Sequence, residues 1–303
     1  MVVIVIVVIG ALLRAAGLVT KSHADTLAGA VFSVSLPATI LVSLDRIVFA
    51  PRTWTLPAAA CLITLPLLTC AWLIARRLHL PRARQGAFLL ATGCINSVYF
   101  AYPVVSALFG EEGLARAILF DLGQTLLTLT VLYGLAVWHG PQTASPQAVV
   151  RRLLTAPPLW ALGGILLLKW FHLQLPVWLH EGLLPIHLTT TPLASLVLGL
   201  SISVDAVRRS AGLALLGVAV RMAGGFLFGL SAVWMLDLSG LERAVVILVA
   251  AMPSAVTAVI FASDAELDED LVASVVALSI CVGMALLPWL PFAAAWFVGE
   301  TAG

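Results

Sequence analysis

Apolar residues run through this chain in blocks of about 20, the length a helix needs to cross the hydrocarbon core of a bilayer. Such windows fall at 2 to 19, 24 to 44, 56 to 75, 86 to 109, 113 to 138, 153 to 171, 182 to 204, 210 to 234, 243 to 263 and 270 to 298. Ten spans are therefore expected. The segment 169 to 185 leaves room for a short interfacial helix with Trp170 and Trp178 at headgroup depth. Met1 to Ile9 has no basic stretch ahead of its apolar run, so it reads as a first membrane helix rather than a cleaved signal.

Two windows carry polar interruptions. Cys94 to Gly110 sets Asn96, Ser97, Tyr99, Tyr102 and Pro103 inside an apolar block. Proline lacks an N–H and clashes with the carbonyl four residues back, which predicts a helix break just before Pro103. At membrane depth a break survives only where protein or a cavity covers the freed backbone groups. The second interruption, Ala250 to Ala262, carries Pro253, Ser254 and Thr257. Proline suits the first position of a helix, so Pro103 and Pro253 can each start a half-helix with its free N–H groups and positive dipole end at the membrane middle. Two such ends favour an anion, a carboxylate above all, with Asn96, Ser254 and Thr257 adding side-chain hydrogen bonds.

The most polar connection, 139 to 152, lies near the chain's midpoint with five spans on each side. Five is odd, so a second half built like the first sits upside down in the membrane. Three landmarks recur: Arg14 and Lys169 close the first span of each half, Pro37 and Pro192 interrupt the second, and Pro103 and Pro253 interrupt the fourth, at offsets of 155, 155 and 150 residues. The expected fold is all-α and polytopic: ten transmembrane helices in two inverted five-helix repeats, 1–138 and 153–303, joined by a cytoplasmic linker at 139–152. Broken helices at corresponding places point to a transporter's binding site.

Composition narrows the class further. Of 303 residues, 61% are hydrophobic and 10% charged, with a mean hydropathy of +1.09, too little polar surface for a dissolved protein. A net charge of +1 with no basic face excludes nucleic-acid binding. Cys61, Cys70, Cys94 and Cys281 lie in apolar segments without CxxC spacing and read as small buried residues. Lys and Arg number 10 in the odd connections and 5 in the even ones with the termini, so the odd loops are expected in the cytoplasm and both termini outside. Two lysines against fourteen arginines hint at a GC-rich bacterial genome, and hence a bacterial inner membrane.

Other polar residues carry paired readings. Asp121 lies inside the fifth span with Gln124 one turn on, where a carboxylate costs about 2.5 to 3.5 kcal/mol and must face the bundle interior. It is a proton carrier, a cation ligand or a support for the substrate site; alternatively it pairs with Arg221 or sits near the outer interface. Arg221 is the only basic residue deep in a span; it balances an anionic substrate, pairs with Asp121, or snorkels to an interface. Tyr99 and Tyr102 line the cavity or pack. The acidic run Asp264, Glu266, Asp268, Glu269, Asp270 begins like a calcium loop, but Glu269 stands where its glycine belongs, so a solvated turn capping the next helix is expected. Gly225-Phe-Leu-Phe-Gly229 reads as close helix packing. The six histidines fall in loops or at span ends, and no HExxH, Gly-x-Ser-x-Gly or P-loop occurs, so neither metal, cofactor nor catalysis is expected.

At the two interruptions the sequence resembles the auxin efflux carrier family, which includes the plant auxin carriers and bacterial malate or malonate carriers. The family's fourth span has an Asn-x-Gly-x-x-Gly-x-Pro pattern followed by Phe-Gly; here Asn96 to Pro103 is followed by Phe109-Gly110. Val98 and Ala101 replace both glycines and narrow the room at the break. Ala251-Met-Pro-Ser254 with Asp264 to Asp270 matches the ninth span and the acidic loop after it, and Leu36-Pro37 matches a Leu-Pro of the second. The resemblance implies spans four and nine crossing at their breaks, an elevator in which spans 3 to 5 and 8 to 10 move against spans 1, 2, 6 and 7, Asn96 on the substrate carboxylate, and a homodimer through the scaffold spans.

The function expected is a secondary carrier of a small organic anion by alternating access. The alternative is a sodium-coupled symporter of the bile acid class; an intramembrane enzyme and a receptor rank below both. The sequence leaves the coupling ion, proton or sodium, open.

Overall fold

The computed structural model describes residues 2–45, 47, 51–141, 154–200 and 211–298. Most of the linker expected at 139–152, the basic residues Arg46, Arg151, Arg152, Arg208 and Arg209, and both chain ends lie outside the described residues. α1 (Val2–Ala15) is followed by α2 (Lys21–Ala30), which passes through a π-helical turn, Val31–Ser35, into α3 (Leu36–Asp45). Next come α4 (Thr55–Arg77) and α5 (Arg82–Gly93). A π turn, Ser97–Ala101, opens α6 (Tyr102–Leu127), and another, Thr128–Leu132, joins it to α7 (Tyr133–His139). α8 (Pro157–Trp170) and α9 (Val177–Leu200) follow. α10 (Ala211–Val218) runs through the π turn Ala219–Gly224 into α11 (Gly225–Met235). α12 (Gly240–Ala250), α13 (Thr257–Asp264), α14 (Glu269–Leu286) and α15 (Leu290–Val298) complete the set.

Among the described residues, six helical runs are long and apolar enough to cross a bilayer: Ser22–Asp45, Arg52–Arg77, Ser97–His139, Val177–Leu200, Gly212–Met235 and Glu269–Val298, with Val3–Ala15 shorter. The windows 86 to 109 and 243 to 263 are each divided by an unwound stretch. Gly110, at φ 63° and ψ −156°, parts the helical run through α6 into two, at the junction expected between the fourth and fifth windows. Only glycine takes that backbone conformation without strain. The interfacial helix expected within 169 to 185 is absent, because a turn after Trp170 leads straight into α9 at Val177. Pro192 does not interrupt its helix either, and α9 continues through Pro185 and Pro192. Packed neighbours can hold a helix together across the carbonyls a proline leaves free.

Two compact units emerge from the packing: Met1–Trp54, Val98–Ile118 and Arg151–Ser201 form the first, and Thr55–Ser97, Leu119–Val150 and Ile202–Gly303 the second. In the first, α1 lies against α9 with no side chain between them; a Cβ on Gly199 would stand 2.2 Å from the Val7 carbonyl oxygen. Small residues permit this approach, which packing in a bilayer rewards. Arg14 Nη1 donates to the Leu200 carbonyl at 3.2 Å, at the end of α9. Lys169, closing α8, does the same for the Asp45 carbonyl at the end of α3, and Asp45 Oδ1 accepts the Leu175 N–H at 2.9 Å. Both cations meet the negative end of a helix dipole. α3 and α9 cross through buried hydroxyls: Thr39 and Thr190 Oγ1 are 2.7 Å apart, and Thr190 also donates to the Ser35 carbonyl at 3.1 Å. His187 is buried inside α9 rather than at a span end, bonded to Thr39 and paired with Glu111 at 3.2 Å. Its neighbours Thr39 and Glu111 are distant in sequence, so local pattern carries no sign of it.

The second unit packs α5 among α4, α7 and α14 around Phe88, Ile63, Leu67 and Phe120. Gly225 and Gly229 bring α11 onto the backbone of α12, the close packing expected of the GxxxG. The acidic run caps α14: Asp268 Oδ1 accepts the Leu271 N–H at 3.0 Å, and its other oxygen pairs with Arg84 at 3.0 Å. Of the four cysteines, Cys94 alone is fully buried and Cys70 and Cys281 are exposed, unlike the uniform burial expected. Trp138, Trp160, Trp170, Trp178, Trp234, Trp289 and Trp296 are exposed, as suits side chains that meet lipid or its headgroups.

Gly199→Ala tests the α1 and α9 contact. It is expected to destabilise the purified protein by about 2 kcal/mol through overpacking, whereas Gly164→Ala, with open space around it, should leave melting unchanged. Equal melting of the two variants would refute the close approach.

Candidate functional site

The second unit holds both interruptions, and they meet. α5 ends at Gly93 and α12 at Ala250, and Ile95 then bridges antiparallel to Ser254. Two main-chain hydrogen bonds flank that pair, Asn96 N–H to the Pro253 carbonyl at 2.9 Å and Ala255 N–H to the Cys94 carbonyl at 3.1 Å. Extended backbone leaves donors and acceptors that hydrocarbon cannot satisfy, and here each stretch satisfies the other.

The breaks fall elsewhere than the prolines predict. The first unwinds at Cys94–Asn96, well before Pro103; helical structure resumes at Ser97, and Pro103 sits second in α6. Its clash is with the Tyr99 carbonyl, which lies inside the π turn, and the wider turn absorbs the missing donor there. Pro37 stands in the same relation to the π turn Val31–Ser35. Pro253 lies within the extended stretch itself, and the following half-helix starts at Thr257.

Every carbonyl at the end of α5 has a partner. Leu90 accepts from Cys94 N–H at 3.1 Å, Ala91 from Ser254 Oγ at 2.6 Å, Thr92 from Arg221 Nη1 at 3.0 Å and Gly93 from Gln124 Nε2 at 3.0 Å. A helix end leaves four such groups, which water would serve on a soluble protein. Beyond the ordinary helical bond from Cys94, three side chains from three distant places in the chain replace it here. Gln124 is itself oriented by Thr64 Oγ1, which donates to its Oε1 at 2.6 Å, and Ser254 N–H donates to Ser279 Oγ at 3.0 Å.

Arg221 joins the two ends. Its Nη2 donates to the Ala250 carbonyl at 2.6 Å, the last residue of α12, while Nη1 holds Thr92. The side chain has no solvent exposure, and no described carboxylate makes an ion pair with it. It therefore does not snorkel, and its two bonded nitrogens are on helix-end carbonyls. Asp121 is half-buried on α6 and accepts from Thr125 at 3.4 Å.

Three polar atoms at the crossing lack partners, Arg221 Nε among them. Asn96, 1% exposed, donates a long 3.4 Å hydrogen bond to the Ser254 carbonyl, but its Oδ1 has none; Ser97 Oγ beside it is equally bare. Buried polar atoms without partners cost about 1–3 kcal/mol each unless a water or a ligand meets them. The structure brings together Asn96, Ser97, Pro253, Ser254, Gln124 and Arg221. Thr257 opens α13 half-buried. Tyr99, Tyr102 and Pro103 belong to the first unit, where the Tyr99 hydroxyl donates to the Ala28 carbonyl at 3.2 Å and is thus engaged. Thr64 and Ser279 were missed by sequence reasoning, since a lone hydroxyl in an apolar block carries no signal.

A family model described as membrane transport protein matches residues 1–291. An uncharacterized transporter of Methanothermobacter thermautotrophicus is 32% identical over 290 residues, 94% of each chain. An uncharacterized transporter of Methanocaldococcus jannaschii is 26% identical over 283 residues, 90% of this chain and 91% of its own. Both organisms are archaea, so the bacterial origin read from the arginine bias gains nothing from them.

Ser254→Ala should strand the Ala91 carbonyl and destabilise the protein by about 1–3 kcal/mol, read as a lower melting temperature in detergent beside the exposed control Ser263→Ala. A melting temperature equal to that of the control would dismiss the hydroxyl's part in the crossing.

Proposed function

The chain belongs to the membrane transport protein family, that of the auxin efflux carriers, and on this premise we propose that it is a secondary carrier of a small organic anion, a carboxylate, working by alternating access. Membership and the apolar helices make it an integral membrane protein. The observation that carries the proposal is the pair of interrupted helices meeting at Asn96 and Ser254, with the Ser97 hydroxyl beside them unpartnered and able to donate to a carboxylate. Asn96 recognises the solute through its amide, whose Nδ2 donates to a carboxylate oxygen in place of the long bond to Ser254. The helices that restart at Ser97 and Thr257 follow directly on the crossing, and their first N–H groups favour negative charge.

An inverted repeat is supported by matched contacts: Arg14 of α1 holds the end of α9 and Lys169 of α8 holds the end of α3. An elevator division is supported by the grouping of 55–97 and 202–303 into one unit, although 98–118 groups with the other. The charge bias along the sequence supports odd connections in the cytoplasm and both termini outside.

Proteoliposomes test the proposal with malate, malonate and indole acetate. Asn96→Ala, inserted at wild-type level, should lower uptake at least about tenfold, the loss of roughly 1.4 kcal/mol of recognition. Uptake unchanged by the substitution would remove Asn96 from the site.

A further inference from the structure

Broken-helix carriers hold their coupling cations with unwound carbonyls and the C-terminal ends of half-helices. In this protein the ends of α5 and α12 converge closely enough for one guanidinium to bond the Thr92 and Ala250 carbonyls together. Each helix end carries roughly half a negative charge, so two of them match one monovalent cation. We propose that Arg221 is a built-in counter-ion: it fills the cation seat at the crossing, and the carrier works without a sodium ion there. The inference deepens the carrier reading of the same site and rests on it.

Three features of the seat fit a permanent occupant. The side chain is wholly buried and makes no ion pair with a described carboxylate, so the helix ends themselves are its counter-charge. Arginine's planar fork presents two donors side by side, which suits two carbonyls from different helices. Gly225, one turn on, leaves the space: a Cβ there would stand 2.1 Å from the Ala250 oxygen and 2.4 Å from Arg221 Nη2. The π turn Ala219–Gly224 carries Arg221 and lies directly before that glycine. A lysine has one charged nitrogen to share between the two carbonyls and is not equivalent. With the seat taken, sodium has no place at this crossing, which separates this chain from the sodium-coupled alternative.

The test compares sodium chloride with choline chloride at equal ionic strength. Wild-type protein in detergent should melt at the same temperature in both, and its proteoliposome uptake of the carboxylate panel should be equal in both. Arg221→Ala should melt at least about 5 °C lower in choline and recover part of that loss with sodium or millimolar guanidinium; Arg221→Lys should fall between. Sodium stabilisation of the wild type, or sodium-dependent uptake, overturns the proposal. So does an Arg221→Ala variant that melts like the wild type, or one that is lowered yet indifferent to both cations. If that variant cannot be purified, the wild-type comparison and Arg221→Lys decide alone. The melting arms need no solute: wild type that moves none of the panel counts against the carrier reading and leaves the cation result standing.

Discussion

Backbone polar groups must be satisfied inside a bilayer, and at two places in this chain the helix that would satisfy them is given up. The rest of the second unit is arranged around that concession. Cys94–Asn96 and Pro253–Ala255 pair with each other, and the carbonyls still unmatched are met by Ser254, Gln124 and Arg221. Arg221 differs from the others because it serves both helix ends at once and brings a whole charge to two half-charges. A buried cation without a carboxylate is costly in isolation. Here the carbonyls of Thr92 and Ala250, at the negative ends of two helix dipoles, lie against the guanidinium and offset that cost.

The first unit reaches the same end by other means. Its helices are joined by glycine contacts and hydroxyls, with Thr39, Thr190 and the Ser35 carbonyl among them. Arg14 and Lys169 stand where helices end, on the carbonyls of Leu200 and Asp45. The bonds of Arg14 and Lys169 are partly solvated, whereas Arg221 at the ends of α5 and α12 is fully enclosed.

Much of this was legible from the chain because membranes restrict the choices. Apolar length announced the helices, and prolines with polar neighbours announced the interruptions near 96 and 253. Their exact register was not legible, since a proline states only that one hydrogen bond is missing. Whether the chain unwinds, widens into a π turn as before Pro37 and Pro103, or carries on as through Pro192 depends on neighbours that lie far away in sequence. For Arg221 the sequence offered three partners, and the structure uses a fourth: carbonyls, which every residue possesses and no motif can flag. Asn96 was recognisable because an amide beside a proline break is rare; Ser279 and Thr64 were not, because hydroxyls are common in apolar segments and bond locally by default.

Unwound stretches in a helical protein invite comparison with joints. The antiparallel pairing at Ile95 and Ser254 argues otherwise. Two main-chain bonds, a serine bridge to Ala91 and a shared guanidinium tie the tip of one rod to the tip of the other. Bending, where this protein needs it, has to be sought away from the crossing, and the point that looks most fragile in the sequence is mechanically a weld.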